Sequence, residues 1–124
     1  MQVFSIASQR AQWLSARLGV IAGNVANAST PGFKAKEIEP FAAMLEQRPA
    51  PMARTHPAHF NAVGAAGPAR FAVREAEARF STHSGNTVEL EKEMLAGAET
   101  VREYRLTTSL ARTWQRLFLL AVKD

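Results

Sequence analysis

The stretch NVANASTPGF, residues 24–33, decides the fold because it ends a long apolar stripe and turns the chain. Pro31 lacks a backbone donor and disfavours helical geometry in the residue before it. Pro31 and Gly32 suit the central positions of a type II turn, in which Gly supplies a positive φ. The sequence therefore predicts a helix that ends near Asn27 or Ala28 and runs into a tight turn.

Upstream of this turn, apolar residues recur at alternating spacings of three and four, which is typical of one face of a helix. The remaining positions are Ser, Gln, Arg and Asn, so the stripe is narrow and resembles a seam for a partner helix. A helix of about 24 residues would be about 36 Å long. The stripe consists of Phe4, Ala7, Ala11, Leu14, Leu18, Ile21, Val25 and Ala28.

A second long helix is predicted near the C-terminus, where the same spacing returns. Asn86 and Glu89 form a capping-box pattern at its start, and Glu91 and Glu93 suit the positive end of its dipole. We therefore expect an all-α fold in which the two helices pack as an antiparallel, coiled-coil-like hairpin. The second seam consists of Met94, Gly97, Val101, Tyr104, Thr108, Ala111, Gln115, Phe118 and Val122.

Beyond Leu106 the second helix has an additional apolar stripe on another face. One antiparallel partner cannot cover both faces, and surplus apolar surface usually marks association. The sequence therefore predicts contacts with other chains. The additional stripe consists of Leu106, Leu110, Trp114, Leu117 and Leu120 or Ala121.

Residues 47–84 are rich in Pro, Gly and His and keep neither a helical nor a strand period. The pattern predicts an irregular central segment, with a short helix within 37–47 and a short strand within 70–73. The expected organisation of the chain is 1–33 as helix and turn, 34–84 as the irregular centre, and 85–124 as the C-terminal helix.

The composition excludes several classes of protein. With 124 residues the chain forms one domain that is short for an enzyme with a deep pocket. It has no cysteine, hence no disulfide and no thiolate nucleophile. No run approaches the ~20 apolar residues of a spanning helix. The run LGVIA at 18–22 resembles part of a secretory signal but is short and interrupted by Gly23, so we expect no cleavage.

Residues suited to catalysis or ligand binding are sparse. Pro57 prevents a helix from presenting His56 and His59 to one metal, and neither Cys nor a tight carboxylate group completes a ligand shell. The stretch GAAGP at 64–68 lacks the lysine of a phosphate loop, and no Ser lies in a nucleophile-elbow pattern. We therefore expect no catalytic residue, cofactor, metal or small-molecule ligand.

A basic module that binds single-stranded nucleic acid is the alternative function. The net charge of +4 permits it, and Arg and Phe alternate in the central segment as they do in single-strand binders. Glu75 and Glu77 dilute this charge and no continuous basic face exists, so we favour no nucleic-acid partner. The residues concerned are Arg48, Arg54, Arg70, Arg74, Arg79, Phe60, Phe71 and Phe80.

Residues 24–34, NVANASTPGFK, resemble the N-terminal signature of the bacterial flagellar rod, hook and hook-associated proteins, N-(I/V)-A-N-x-x-T-P-G-(Y/F), at every defined position. Residues 84–94, SGNTVELEKEM, are similar to the block that opens the C-terminal helix of the proximal-rod members. THPAHF at 55–60 resembles a segment of the same subgroup. The matching signature positions are Asn24, Asn27, Thr30, Pro31, Gly32, Phe33, Gly85, Asn86, Val88, Glu93 and Met94.

The resemblance implies a non-enzymatic structural subunit of the flagellar basal-body rod, which spans the periplasm and passes torque from motor to hook. It further implies export by the flagellar type III apparatus without a cleaved signal, and assembly with itself and with other rod and basal-body proteins. The signature turn would then act as a shaped joint. The expected interface residues are Leu14, Leu18, Ile21, Val25, Val101, Leu106, Leu110, Trp114, Leu117 and Phe118.

Overall fold

The computed structural model describes residues 2–46 and 71–123, and this part of the chain is mostly helical. The only departure from the predicted all-α class within these residues is a sheet of two three-residue antiparallel strands, in which Glu37 lies opposite Arg74. In chain order the elements are α1 (Gln2–Ala26), β1 (Lys36–Ile38), α2 (Phe41–Glu46), β2 (Val73–Glu75) and α3 (Leu90–Val122).

The two long helices pack against each other. The Arg10 guanidinium lies 2.6 Å from the Glu103 carboxylate. Further along α1, the Cγ2 atom of Ile21 lies 3.6 Å from the point that a Cβ atom on Gly97 would occupy. Residues earlier in α1 therefore lie beside residues later in α3.

The buried face of α1 only partly follows the predicted stripe. Leu14 and Ile21 are buried as expected, but Leu18 and Val25 are 38% and 37% exposed. Trp13 is buried instead, because the chain after the turn covers α1 on a second side. The indole Nε1 donates to the carbonyl oxygen of Glu39 at 2.8 Å. The prediction of a single narrow seam on α1 is thus wrong, since α1 contacts two neighbours.

The face of α3 toward α1 also differs from the predicted seam. Thr100, which lies outside the predicted stripe, is 1% exposed, and its hydroxyl donates to the Ala96 carbonyl at 2.7 Å. Met94 is 63% and Phe118 is 55% exposed, so neither belongs to the seam. Phe118 is exposed because α1 begins beside Trp114 and extends no further along α3: the groove there is lined by Trp114 together with the first residues of α1.

The middle of the chain contains the predicted helix and strand with different bounds. The helix expected within 37–47 is α2, which is shorter than predicted. The first residues of the predicted range belong to β1 instead. The strand expected within 70–73 shares only Val73 with β2, which follows it in the chain, so the predicted bounds are wrong. The predictions for His56, His59 and the stretch 64–68 lie outside the described residues. Within the described part, no helix is long and apolar enough to cross a membrane.

Candidate assembly site

Two segments that are distant in sequence meet at the end of α1, and we call their contact the motif junction: residues 24–36 with residues 82–88. Backbone hydrogen bonds join the segments, because Gly32 N donates to Ser84 O at 2.9 Å and Thr87 N donates to Phe33 O at 3.0 Å. The Thr87 hydroxyl also accepts from Ala35 N at 2.9 Å. The two blocks of the sequence signature are therefore parts of one structure.

Asn86 is the centre of the motif junction. Its side-chain amide donates to the carbonyl oxygens of Asn27 and Thr30, both at 2.8 Å, and accepts from Val88 N at 2.8 Å. The residue is 2% exposed. The prediction that Asn86 caps the second helix is wrong, because α3 begins later and Glu89 occupies its N-cap position without a side-chain hydrogen bond.

Asn24 holds the end of α1 against the edge of β1. Its Nδ2 donates to Lys36 O at 2.8 Å, and its Oδ1 accepts from Lys36 N at 2.9 Å. These are the two bonds that a neighbouring strand would make with the same residue, so the amide satisfies the strand edge. Asn24 is 1% exposed, so its amide belongs to the core of the chain.

The turn between α1 and β1 has the predicted geometry. Phe33 N donates to Thr30 O at 3.2 Å, and Gly32, at the third position, has φ 73°. Gly85 has φ 83°, and a Cβ atom there would lie 3.6 Å from the Gly32 Cα. A positive φ strongly favours Gly, so the junction requires this residue type on both segments.

The remaining signature residues have different surroundings. Asn27 Nδ2 donates to Gly23 O at 2.8 Å, and the Thr30 hydroxyl donates to Asn27 Oδ1 at 3.2 Å. Val88 is buried, whereas Pro31 and Met94 are exposed and Glu93 is half-buried. Every buried side-chain nitrogen and oxygen in the described residues has a hydrogen-bond partner. The buried polar side chains of the motif junction are thus satisfied within the chain.

Arg10 joins α1 to α3 and to α2. Its guanidinium lies 4.7 Å from the centre of the Trp13 ring and 5.2 Å from that of Phe41, in addition to its contact with Glu103. Cation–π contacts of this kind stabilise by about 0.5–1 kcal/mol where they are partly exposed. The apolar pattern did not predict this role for Arg10. The only signal in the sequence is that this basic residue stands next to the stripe residue Ala11.

A second feature of the structure is an exposed apolar region on the second half of α3, which we call the apolar surface. Its members are each 52–67% exposed. Val3 and Ile6 of α1 continue it across a groove of about 430 Å³. Such a large contiguous apolar area usually marks an interaction site. The apolar surface consists of Leu106, Leu110, Trp114, Leu117, Phe118, Leu119, Leu120 and Val122.

Comparison with known proteins assigns the class. The family model described as flagella basal body rod protein matches residues 4–34, which contain most of α1 and the turn of the motif junction. The chain belongs to this family of flagellar basal body rod proteins. The family is structural, which confirms the prediction that the chain is not an enzyme.

One relative is the flagellar basal body rod protein FlgB of Agrobacterium fabrum (strain C58). The two sequences are 39% identical over 128 residues, covering 99% of this chain and 94% of that protein. This match confirms the resemblance to flagellar rod proteins that was stated from residues 24–34 and 84–94.

Proposed function

We propose that the chain is a structural subunit of the proximal rod of the flagellar basal body. It polymerises by helix packing into the hollow shaft that transmits torque from motor to hook in flagellum-dependent motility. The observation that supports this most is that a member of the rod family exposes the apolar surface on α3.

In this proposal α1 and α3 form an antiparallel, coiled-coil-like hairpin, and each hairpin is one building unit of the shaft wall. The interface residues on α1 and α3 pack within the subunit or against neighbouring subunits. The motif junction acts as a stiff joint, because buried and fully satisfied polar networks fix one conformation. Contacts between neighbours that do not close into a ring produce a filament, which suits a rod.

We further propose that the chain is exported by the flagellar type III apparatus without a cleaved signal and lies in the rod that crosses the periplasm. The core supports this, because cleavage near Ala28 would remove Trp13, Leu14, Ile21 and Asn24, all of which are buried in the folded chain. Its partners are other copies, other rod and basal-body proteins and the export apparatus. The proposed units remain 1–33, 34–84 and 85–124.

No observation favours the nucleic-acid alternative, and we propose no nucleic-acid partner. Arg74 forms an ion pair with Glu37 at 2.9 Å, which weakens its use for phosphate. Phe71 packs against the hydrophobic core rather than standing free for base stacking. Arg48, Arg54, Phe60 and Arg70 lie outside the described residues.

Complementation of a strain that lacks this gene tests the proposal. Leu117→Glu places a charge on the apolar surface, and Ser109→Glu adds the same charge at an exposed position between Arg105 and Arg112. We expect the wild type and Ser109→Glu to restore swimming and to be recovered full length in detergent-extracted basal bodies. Leu117→Glu should do neither. Recovery of Leu117→Glu at the wild-type level, or absence of the wild type from basal bodies, would contradict the proposal.

A further inference from the structure

We infer that α3 carries both halves of one contact between two copies of this chain. The second half of α3 in one copy packs on the first half of α3 in the next copy, with the helices parallel and displaced by about 16 residues, or about 24 Å. This inference rests on the proposed function and names the partner of the apolar surface: a second copy.

An apolar pattern repeats within α3. The stripe Leu90, Met94, Ala98 and Val101, here called the first stripe, recurs 16 positions later as the second stripe. In the first stripe, Leu90 is 45% and Met94 is 63% exposed, so it also has uncovered surface. Displacement by this repeat places each second-stripe residue beside its counterpart in the neighbour. The second stripe consists of Leu106, Leu110, Trp114 and Leu117.

The two stripes face different directions. An α-helix turns by about 100° per residue, so a shift of 16 residues places the two stripes about 160° apart, on nearly opposite sides of α3. The side toward α1, marked by Thr100 and the half-buried Ala111, lies between them. Packing against α1 therefore leaves both stripes accessible.

These directions select the displaced parallel arrangement over a symmetric dimer. In an antiparallel dimer, both halves of α3 would have to meet the partner on the same face, so only one stripe could be covered. In the displaced arrangement, the second stripe of one copy covers the first stripe of the next, and each end of the pair keeps a free stripe. Such contacts continue into a filament.

The charge also changes along α3. Its first half is mainly acidic, whereas residues 104–123 contain no Asp or Glu. At about 100° per residue the four basic residues lie more than about 110° around α3 from the second stripe, so they form no ion pairs across the contact. The displacement brings the basic half of one copy level with the acidic half of the next, which favours it weakly over unshifted parallel packing, where like charges would lie at the same level. The acidic residues are Glu89, Glu91, Glu93, Glu99 and Glu103, with Lys92 and Arg102 among them, and the basic residues are Arg105, Arg112, Arg116 and Lys123.

Disulfide cross-linking of the full chain tests the displacement, because the natural sequence has no cysteine. Met94→Cys and Leu110→Cys are purified separately, mixed at a concentration at which the wild type sediments as a multimer, and oxidised. We expect a covalent dimer in the mixture at least tenfold above that in either variant alone. Ser109→Cys, one residue from Leu110 on the polar face, is the control and should give no such dimer with Met94→Cys.

Equal cross-linking of either variant with itself would overturn the inference, because it would show a symmetric contact. Absence of the mixed dimer, or a wild type that remains monomeric at every accessible concentration, would overturn it as well. Recovery of the wild type in basal bodies without the mixed cross-link would remove the displaced contact and leave the proposed rod function intact. Absence from basal bodies would remove the proposed function itself.

Discussion

The motif junction and the apolar surface of the same chain differ in where their side chains find contacts. The junction buries polar groups such as Asn24 and Asn86, and each has its hydrogen-bond partners in the same chain. The apolar surface leaves large side chains such as Trp114 and Leu117 more than half exposed. The motif junction is therefore satisfied within one subunit, whereas the apolar surface gains its main stabilisation from neighbouring subunits.

The largest expected effect on stability is at the centre of the motif junction. Asn86→Ala removes three hydrogen bonds: the amide of Val88 loses its partner, and the carbonyl oxygens of Asn27 and Thr30 each lose one of two donors. We expect the free energy of unfolding to fall by about 3 kcal/mol. Urea unfolding followed by circular dichroism measures this. Gln12→Ala, at an exposed position of α1, is the control and should change stability by less than about 0.5 kcal/mol.

A loss below about 1 kcal/mol for Asn86→Ala would contradict the central role of this amide. It would mean that the two segments of the junction are held mainly by their backbone contacts, such as the bond from Thr87 N to Phe33 O.

The next effect concerns the turn inside the junction. Gly32→Ala should destabilise by about 1–2 kcal/mol, because φ is 73° there and a Cβ atom disfavours that conformation. The matched control is Gly23→Ala in α1, where a Cβ atom would also meet no atom within 4 Å. There the same substitution should stabilise by about 0.5–1 kcal/mol, because Ala is the better helix former. Changes of the same sign at both sites would refute the role of the positive φ.

A smaller effect is expected where the helices are joined by charge. Glu103→Gln removes the partner of Arg10, but both side chains are about one-third exposed, so the loss should be at most about 1 kcal/mol. Unfolding in low and in high salt measures it, and the difference from wild type should shrink as salt is added. Glu99→Gln, exposed on the same helix, should show no such loss.

The smallest effect on subunit stability is expected on the apolar surface. Leu117→Glu, which abolishes assembly in the proposed account, should change the free energy of unfolding of the dilute subunit by less than about 0.5 kcal/mol. Leu117 is 53% exposed, so little burial is lost. The same urea titration measures it. A loss comparable to that of Asn86→Ala would show that this residue is needed inside the subunit.

The sequence predicted the features that depend on local geometry. Both long helices, the end of α1 and the turn at Gly32 follow from periodicity and from the residue pair Pro31 and Gly32. The exposure of Leu110 and its neighbours follows from counting apolar faces.

What the sequence could not provide are the contacts between distant segments. The spacing of Asn86 to Glu89 fits a helix cap. Only the folded chain shows that the Asn86 amide donates instead to the carbonyl oxygens of Asn27 and Thr30. Leu18 and Val25 fit the seam by spacing, but the segment after the turn buries other positions of α1 instead. Registers between remote residues depend on packing, which a periodic pattern does not encode.

The measurement that tests the central contrast most directly is hydrogen exchange by mass spectrometry, on dilute subunit and on assembled basal bodies. In the dilute subunit we predict strong protection of amides in the motif junction, such as those of Thr87 and Val88, and fast exchange in residues 115–122. In the assembly, residues 115–122 should become as protected as the junction. Equal protection of both regions in the dilute subunit, or fast exchange of residues 115–122 in basal bodies, would contradict the account.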